Sequence, residues 1–438
     1  MDMETDRDHS DETNEVPDED EEFGLYLPMR LTSNKDVSTR NIGFTKSTQT
    51  CFQIIHEALY RNQWQRAASF FTTYLQTLES QSTKDLRRAP EILWQLGSEI
   101  LLNHPKSMPE DINVFSETIK NVGVKYYIPI SLEQVYFLLC NGQSAEAYRM
   151  LTTIESWRFG MISISQHELL KLVQAYRGII DCWSWLDKKS SLDHTEMDFA
   201  SQASLNRDMS AFFRQASITF KEILKHPGVW DPFILNYVKL LESSGDKAKA
   251  EKVLVKYAYN KKNPPNPNAH VYLYEFRKRR GDSDEELIKV LKALRMLVPS
   301  HKLMLEYISL LTKSESDEDH QLALQVLFDL LDFSGWKDNV EAWNCLVKKL
   351  KKTLQSGQSS WISEVWNSRS NWWPSYHFTQ FQMAKNWRKS VKLAIKKASV
   401  AALLLGQDCR YFTSVYDLGD EKQKKALDRV VKLLKSLQ

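Results

Sequence analysis

The chain has 438 residues and a formal net charge of +2, with 42% hydrophobic and 11% aromatic residues. Fourteen Gly and thirteen Pro are below average usage, which disfavours folds that need many tight turns or Gly-rich phosphate loops. No apolar run is long enough to span a membrane, and the first 22 residues lack the apolar stretch of a secretory signal, so we expect an intracellular protein.

The amino terminus is strongly acidic. Residues 1–22 carry twelve carboxylates against Arg7, a charge of about −11, so the other 416 residues are near +13. Low hydrophobicity and blocks of like charge predict a disordered acidic tail over residues 1–46. The tail is explained either as a solubilising arm or as an arm that contacts or screens a basic surface, on a partner or on this protein.

Residues 47–225 are predicted to form N-terminal helical repeats. Thr50 and Gln53 form a capping box that starts the first helix. Three slots follow that recur along the chain: a breaker or polar residue, a small or apolar one five places on and an aliphatic one nine places on. Asn62, Ala67 and Phe71 occupy these slots in a first predicted hairpin, and Gly142, Ala147 and Leu151 occupy them in a second.

Other stretches of this region have distinct patterns. PEILWQLGSEILLNHPKS predicts a helix with Pro90 at its first position and Pro105 at its end. Residues 166–189 are apolar on more than one side, which predicts a long helix between neighbours. The polar residues 190–208 indicate either a surface loop or a poor helix.

Residues 226–333 are predicted to form central tetratricopeptide-like repeats, because the three slots return there at offsets of 36 and 37 residues. They are filled by Gly245, Ala250 and Leu254, by Gly281, Glu286 and Val290, and by Glu318, Ala323 and Leu327. The small residue allows two antiparallel helices to approach closely. HPGVWDPF, NPPNPNAH and PSHK mark the breaks between hairpins. We therefore predict an all-α fold, a tetratricopeptide-like helical-hairpin solenoid.

Residues 334–438 are predicted to form a Trp-rich helical region with a basic tail. Five Trp lie within residues 361–387. They are explained either as large aromatic side chains that close the end of the core or as an anchor for a partner protein. The anchor interpretation rests on Trp366, Trp372, Trp373, Tyr376 and Phe378.

The last stretch, EKQKKALDRVVKLLKSLQ, predicts an amphipathic basic helix, and residues 385–438 hold thirteen basic against five acidic side chains. Its ordinary explanation is a solvated helix face. The alternative is contact with a nucleic-acid backbone, which requires cations that meet phosphates. That alternative rests on Lys422, Lys424, Lys425, Arg429, Lys432 and Lys435.

Two further basic clusters are RKRR, residues 277–280, and KKLKK, residues 348–352. Each is explained in one of three ways: as a cationic last turn that interacts with the helix dipole, as a nuclear import signal, or as a contact to nucleic-acid phosphates. Because no base-reading motif accompanies them, a nucleic-acid contact is expected to be to the backbone.

Signatures of catalysis are absent from the sequence. It holds no phosphate-binding loop, dinucleotide fingerprint, nucleophile elbow, kinase or zinc-deaminase pattern. Ten His lack metal-ligand spacing, and five widely spaced Cys predict free buried thiols. We therefore expect no enzyme, no cofactor and no metal site, but a binding surface of the kind that helical solenoids provide.

Seven strings carry a family resemblance, in order, across residues 48–412. They are RNQWQRAASFF, APEILWQLGSEILLNHPKS, HPGVWDPF, NPNAHVYLYEF, VPSHKLMLE, WNSRSNWWPSYHF and LLLGQDCRYF. Together they resemble the A-subunit family of the TATA-box-binding-protein-associated factors specific to RNA polymerase I. None of them is a generic tetratricopeptide signature, which makes the resemblance specific.

The resemblance implies a non-enzymatic scaffold subunit of the polymerase I promoter selectivity factor, in the nucleus and nucleolus. Implied partners are TATA-box-binding protein, the associated-factor subunits B, C and D, upstream binding factor and, mainly through the complex, ribosomal RNA gene promoter DNA. The repeats alone also permit a helical-repeat adaptor in RNA processing or trafficking. A third hypothesis is a protein that binds DNA directly, with an affinity that falls steeply with salt.

Overall fold

The computed structural model describes residues 42–78, 83–122, 126–156, 164–194 and 199–437. All regular elements in these ranges are helical, and the predicted all-α, tetratricopeptide-like hairpin class is confirmed. The chain divides into two compact units, unit 1 (Met1–Gly123) and unit 2 (Val124–Gln438). The predicted acidic tail lies outside the described residues except for its last five positions. No helix of the described part is both long and apolar enough to cross a membrane.

The described helices of unit 1 are α1 (Ile42–Tyr60), α2 (Trp64–Leu78), α3 (Thr83–Asn103) and α4 (Pro109–Val122). Two of their starts differ from prediction. Residues 42–46, predicted as disordered, are helical, and Thr50 lies inside α1 rather than at its cap, because extending an existing helix costs far less than starting one. Pro90 lies inside α3 rather than at its first position. Its ring is buried, so packing offsets the one backbone hydrogen bond that proline cannot make.

Besides a short 3-10 helix (Ser334–Trp336), unit 2 contains seventeen described α-helices. They are α5 (Tyr127–Cys140), α6 (Ser144–Ser156), α7 (Ile164–His194), α8 (Phe199–Ile223), α9 (Asp231–Ser243), α10 (Lys247–Tyr259), α11 (Pro267–Arg280), α12 (Asp284–Leu297), α13 (Met304–Lys313), α14 (Asp317–Leu331), α15 (Val340–Gln355), α16 (Ser359–Asn367), α17 (Trp373–His377), α18 (Gln380–Lys389), α19 (Val391–Leu405), α20 (Arg410–Leu418) and α21 (Glu421–Leu437). The three predicted breaks separate α8 from α9, α10 from α11, and α12 from α13. The polar stretch 190–208 is helical wherever it is described, which favours a poor helix over a loop.

The first slot of the predicted pattern is a left-handed turn residue. Asn62, Gly142 and Gly245 have φ of 57°, 74° and 88°, a region that favours glycine. After each of them the next amide donates to the carbonyl five residues back, for example Gln143 to Leu138 at 2.9 Å. This bond closes the helix end as a Schellman motif. Ala67, Ala147 and Ala250, in the second slot, are fully buried.

Two assignments of the pattern need correction. Gly281 makes the left-handed turn with φ of 81°, but its second helix starts three residues later rather than two, at Asp284. The extra residue shifts the register by one, so Leu287 is buried in place of Glu286. Glu318 is not a turn residue, because it lies in the first turn of α14.

One hairpin was not predicted from the sequence. Gly357 has φ of 75° and separates α15 from α16, with Ile362 buried five places on. The third slot holds Trp366, an aromatic residue like Phe71 in the first hairpin. The three-slot pattern therefore covers this hairpin, although the sequence analysis did not assign it.

A single buried cluster extends through unit 2 from Ala175 to Val430. It continues across both predicted domain boundaries, between residues 225 and 226 and between residues 333 and 334. The reason is that each stacked hairpin buries one face against the next, so the repeats share a core. The order of packing changes after α14, where α15 packs against α19, a helix that is distant in sequence.

Candidate partner-binding surfaces

Trp373 is the centre of an aromatic cluster in the core of unit 2. Its ring stacks on Phe328 with a centroid distance of 4.9 Å and lies 6.0 Å from the ring of Trp343. Trp373 and Phe378 are both buried, so these two predicted partner-binding residues are corrected to core residues. The cluster lies within the core, which continues in sequence to Val430.

His377 lies within this cluster, with ring centroids of Trp343 and Trp373 at 5.0 and 4.7 Å from its own. Burial first, and then the nearby charges of Lys397 and Lys337, lower the pKa of His377 from 6.5 to about 3. The imidazole therefore stays neutral in the folded protein at pH 5, whereas the unfolded chain takes up a proton below pH 6.5. The free energy of unfolding therefore decreases as the pH falls from 6.5 towards the folded-state pKa of about 3.

We expect His377→Phe to remove this part of the acid sensitivity. Between pH 6.5 and pH 5 the histidine should cost the wild-type protein about 1.5 kcal/mol of unfolding free energy, and the variant should be spared that loss. Urea denaturation at both pH values measures it. His167→Phe is the control, because His167 is exposed. An equal pH dependence in the wild type and His377→Phe would contradict the prediction.

Arg369 organises a network of hydrogen bonds beside the aromatic cluster. Its guanidinium donates to Asp329 at 2.7 Å and to Asp332 at 2.7 and 3.1 Å. Asp329 also accepts from Arg295 at 2.7 Å, and Asp332 accepts from the indole of Trp373 at 2.6 Å. These five residues, hereafter the Arg369 network, tie the last turns of α12 and α14 to the segment between α16 and α17. The Arg369 side chain is only 11% exposed, so the two carboxylates, rather than water, stabilise its positive charge.

Exposed apolar side chains lie next in sequence to three members of this network. Met296 follows Arg295 and is 79% exposed. Phe333 follows Asp332 and is 40% exposed, and Trp372 precedes Trp373 and is 39% exposed. The hydrogen bonds of the network therefore hold the backbone next to each of these three exposed residues, and we treat them as one candidate surface. We call Met296, Phe333, Trp372 and Tyr376 the edge surface.

Tyr376 extends this surface. Its ring lies 5.7 Å from that of Trp372, and the Nζ atom of Lys337 lies 3.9 Å from its centroid, a cation–π contact. Trp366 is half-buried and meets Trp373 edge-to-face at 6.1 Å. Trp366, Trp372 and Tyr376 therefore have accessible atoms and stay predictions as partner-binding residues. Sequence reasoning missed Met296 and Phe333, because their exposure depends on how segments distant in sequence pack.

The RKRR cluster at the end of α11 is neutralised within the chain. Its ion pairs are Arg277 with Glu251 and Glu286 at 3.3 and 2.9 Å, Lys278 with Glu306 at 2.8 Å, Arg279 with Glu242 at 3.2 Å, and Arg280 with Glu251 and Asp282. The partners belong to neighbouring helices or to the following turn. This pairing favours a structural role for the cluster over an import signal or a phosphate contact.

The KKLKK cluster on α15 divides in the structure. Lys349 is buried, its Nζ lies 2.9 Å from Nδ1 of His320, and burial lowers the pKa of Lys349 to about 8. Lys351 is half-buried and faces Lys396 of α19 and Arg429 of α21. Burial first, and then these two charges, lower the pKa of Lys351. Cations from three helices therefore converge here.

The predicted DNA-contacting residues of α21 lie mostly on one exposed face. Leu427 and Val430 are buried, whereas the other side carries exposed cations. Lys424 is half-buried, with its Nζ 5.7 Å from the ring centroid of Tyr416. The exposed cations are Lys422, Lys425, Arg429, Lys432 and Lys435. The sequence therefore predicted the helix correctly. The predicted set of DNA-contacting residues, however, included Lys424, whose side chain packs on Tyr416.

Lys392 and Lys396 of α19 add to this surface and, with Glu341 of α15, line a groove of about 490 Å³. We define the cationic face as Lys351, Lys392, Lys396, Lys422, Lys425, Arg429 and Lys432. Among the described residues, none of the seven has a carboxylate within ion-pair distance. Sequence reasoning missed the two lysines of α19, although their spacing of four residues places both on one helix face.

Comparisons with known proteins agree with the resemblance found in the sequence. A family model for the A subunit of TAF RNA Polymerase I matches residues 57–417. A Mus musculus relative, the A subunit of TATA box-binding protein-associated factor RNA polymerase I, is 45% identical over 415 residues, 94% of this chain and 92% of that protein. The Homo sapiens protein of the same name is 42% identical with the same coverage. The solved TPR domain of P58(IPK) is 13% identical and covers 90% of this chain and 99% of that one, with a TM-score of 0.19.

Proposed function

The chain belongs to the A-subunit family of the RNA polymerase I TAF proteins, and from this membership we propose that it is a non-enzymatic scaffold of the polymerase I promoter selectivity factor. As such it assembles with TATA-box-binding protein, with the associated-factor subunits B, C and D, and with upstream binding factor. The assembly forms the pre-initiation complex on ribosomal RNA gene promoters in the nucleolus. The observation that carries the proposal is the identity of 42–45% to relatives of that name over 94% of the chain.

The alternative is a helical-repeat adaptor in RNA processing or trafficking. Hairpin repeats alone fit it equally well, but no residue of the chain favours it specifically. Localisation separates the two functions, since the scaffold is expected in the nucleolus and a trafficking adaptor on cytoplasmic vesicles.

The edge surface is the part of the chain we propose for contact with another protein of the complex. Exposed aromatic and Met side chains on a rigid support are typical of the centres of protein interfaces. The Arg369 network supplies the rigidity, because it fixes the backbone on either side of Phe333 and Trp372. Binding there costs little ordering of the chain, which favours affinity.

The edge surface is tested with the triple variant Met296→Ala, Phe333→Ala, Trp372→Ala. We expect it to lose at least tenfold in affinity for the reconstituted other subunits, because hot-spot residues cost about 2 kcal/mol or more each when truncated. Surface plasmon resonance of purified proteins gives the affinity. The control is Phe381→Ala, which removes a side chain that is 74% exposed elsewhere in the same region.

Two outcomes of this experiment are decisive. Wild-type affinity in the triple variant, with its melting temperature unchanged, contradicts the edge surface but leaves the scaffold function standing. Failure of the wild-type chain to bind any of the other subunits contradicts the scaffold function itself.

We also propose that the cationic face contacts DNA phosphates inside the complex. Its four cations on α21 follow each other at intervals of three or four residues over about 15 Å. DNA offers one phosphate per strand for about every 3.4 Å of helix axis, so this length spans several phosphates. Among the described residues no carboxylate lies within ion-pair distance of these cations, although Glu341 lines the groove beside Lys392 and Lys396, so the charges stay available. Such contacts position DNA without reading its sequence.

Replacing Lys422, Lys425 and Arg429 by Gln should flatten the salt dependence of duplex binding. Each phosphate that the variant no longer neutralises should reduce the slope of log affinity against log salt by about 0.9. A second variant, with Gln at Lys351, Lys392 and Lys396, should have a similar effect. Fluorescence anisotropy over a salt series, with promoter and scrambled duplexes, measures both.

The matched control is Lys278→Gln with Arg279→Gln, whose charges are already paired with Glu306 and Glu242. Its slope should equal that of the wild type. Equal flattening in the control and in the cationic-face variants would show that net charge alone governs binding. A preference of the isolated chain for promoter DNA would require base contacts that this proposal does not contain.

A further inference from the structure

A second groove of unit 2, of about 620 Å³, runs along α8. Its residues on α8 extend from Asn206 to Lys221 at helical spacing, a length of about 22 Å. The opposite wall is formed by Trp185 of α7 and by Ser244 and Lys249 at the turn into α10. The groove is therefore long enough for one helix of about 15 residues, or for a strand of about seven.

Four apolar side chains, those of Trp185, Met209, Phe213 and Ile218, line this groove among polar and cationic ones. Trp185 is buried and its ring centroid lies 5.8 Å from that of Phe213, while Met209 is half-buried beside them. Ile218 is 48% exposed at the rim. Such a wall suits a bulky apolar side chain. Neither ring offers an open face to a nucleobase, because Trp185 is buried and Phe213 is half-buried.

The charged residues that line the groove are all cations: Arg214, Lys221 and Lys249. Lys249 forms an ion pair with Asp246, with 3.9 Å between its Nζ atom and Oδ2 of the aspartate. In the described part of the chain, neither Arg214 nor Lys221 has a carboxylate within ion-pair distance. The groove therefore attracts negative charge along its rim while its wall attracts apolar groups.

The acidic residues nearest to the groove along α8 are engaged elsewhere. Asp208 binds Lys188 at 3.2 Å, and Glu222 binds Lys225 at 2.5 Å. They do not cancel the charges at the rim.

Ser217 adds an independent sign of a ligand. It lies in the groove and is 94% buried, yet its Oγ has no hydrogen-bond partner among the described residues. A buried hydroxyl that lacks a partner costs about 1 to 3 kcal/mol. A carbonyl or carboxylate oxygen of a bound chain would accept this hydrogen bond.

From these features we propose that the α8 groove binds an acidic amphipathic segment of a partner protein. Its apolar side chains pack on Met209, Phe213 and Ile218, and its carboxylates meet Arg214 and Lys221. This is helix-in-groove recognition, with specificity supplied by charge complementarity. The proposal does not depend on the edge surface or on the cationic face.

The experiment uses the full chain and a fluorescein-labelled synthetic peptide of about 15 residues, with Leu and Phe at helical positions i, i+3 and i+7 and Glu or Asp elsewhere. Two control peptides have Lys in place of every acidic residue or Ser in place of every apolar one. A single-stranded oligonucleotide tests nucleic acid as the ligand. Fluorescence anisotropy reports binding of each probe.

The charge test is the double variant Arg214→Glu, Lys221→Glu. We expect it to bind the acidic peptide at least tenfold more weakly than the wild type, while the control Lys261→Glu, Lys262→Glu, at two exposed lysines outside every proposed surface, keeps wild-type affinity. Ser217→Ala should weaken the peptide several-fold without lowering the melting temperature, because it removes a hydroxyl that the free protein leaves unpaired.

Several results would overturn the proposal. The first is an equal loss of acidic-peptide affinity in the two charge-reversal variants. The second is that the Ser-substituted peptide binds as tightly as the acidic peptide. The others are tighter binding of the oligonucleotide than of the acidic peptide, and no binding of the acidic peptide by the folded wild type. Melting curves of every variant separate loss of binding from loss of the fold.

Discussion

Arg369→Ala should lower the free energy of unfolding of unit 2 by about 3 to 5 kcal/mol. Removing one partner of a largely buried charge pair leaves the others without compensation, which is the reason for so large a loss. Here two carboxylates lose their shared cation, and they lie in α14 and directly after it. The indole of Trp373 still donates a hydrogen bond to Asp332, but this carboxylate is no longer positioned by the guanidinium of Arg369.

Urea denaturation followed by tryptophan fluorescence measures this loss. The control is Arg279→Ala, whose side chain is 58% exposed and pairs with Glu242. An exposed pair is worth about 0 to 1 kcal/mol, so the control should be nearly neutral. Similar stabilities of the two variants would mean that the Arg369 network contributes little to holding the edge surface in place.

Ala147→Trp and Ala250→Trp should each destabilise the protein by about 3 kcal/mol or more. Both alanines are fully buried where the second helix of a hairpin meets its neighbour. A large ring at such a close contact forces the two helices apart. The displaced helices also disturb the packing of the neighbouring hairpins, because each hairpin shares its core with the next.

The chain provides a matched control for each of these substitutions. Ala145 and Ala248 lie two residues earlier on the same helices and are exposed. Ala145→Trp and Ala248→Trp should therefore leave the melting temperature almost unchanged, as surface substitutions usually do. Circular dichroism melts of the four variants decide the matter. Equal midpoints within a pair would contradict the hairpin register.

The hairpins were predictable because their signal is local. A left-handed turn residue, a small residue and an aliphatic residue within ten positions are all that a helical hairpin requires, and Gly142, Ala147 and Leu151 meet that requirement. The prediction failed at Glu286 for an equally local reason. One extra residue after Gly281 is invisible to a fixed spacing but turns the helix by about 100°.

The candidate surfaces were less predictable, because burial depends on contacts between distant segments. Trp372 and Trp373 are adjacent and chemically identical, yet one is 39% exposed and the other is buried against Phe328. Nothing within the stretch distinguishes them. In the same way RKRR and the basic residues of α21 look alike in sequence, and only the glutamates of neighbouring helices show that the first cluster is neutralised.

The identity of the partners tests the proposed function most directly. The tagged chain is purified from nuclear extract at moderate salt, and the bound proteins are identified by mass spectrometry. We expect TATA-box-binding protein and the other polymerase I associated factors to bind the wild-type chain and to be depleted from the edge-surface triple variant. Recovery of RNA-processing or vesicle-coat proteins without TATA-box-binding protein would contradict the scaffold function.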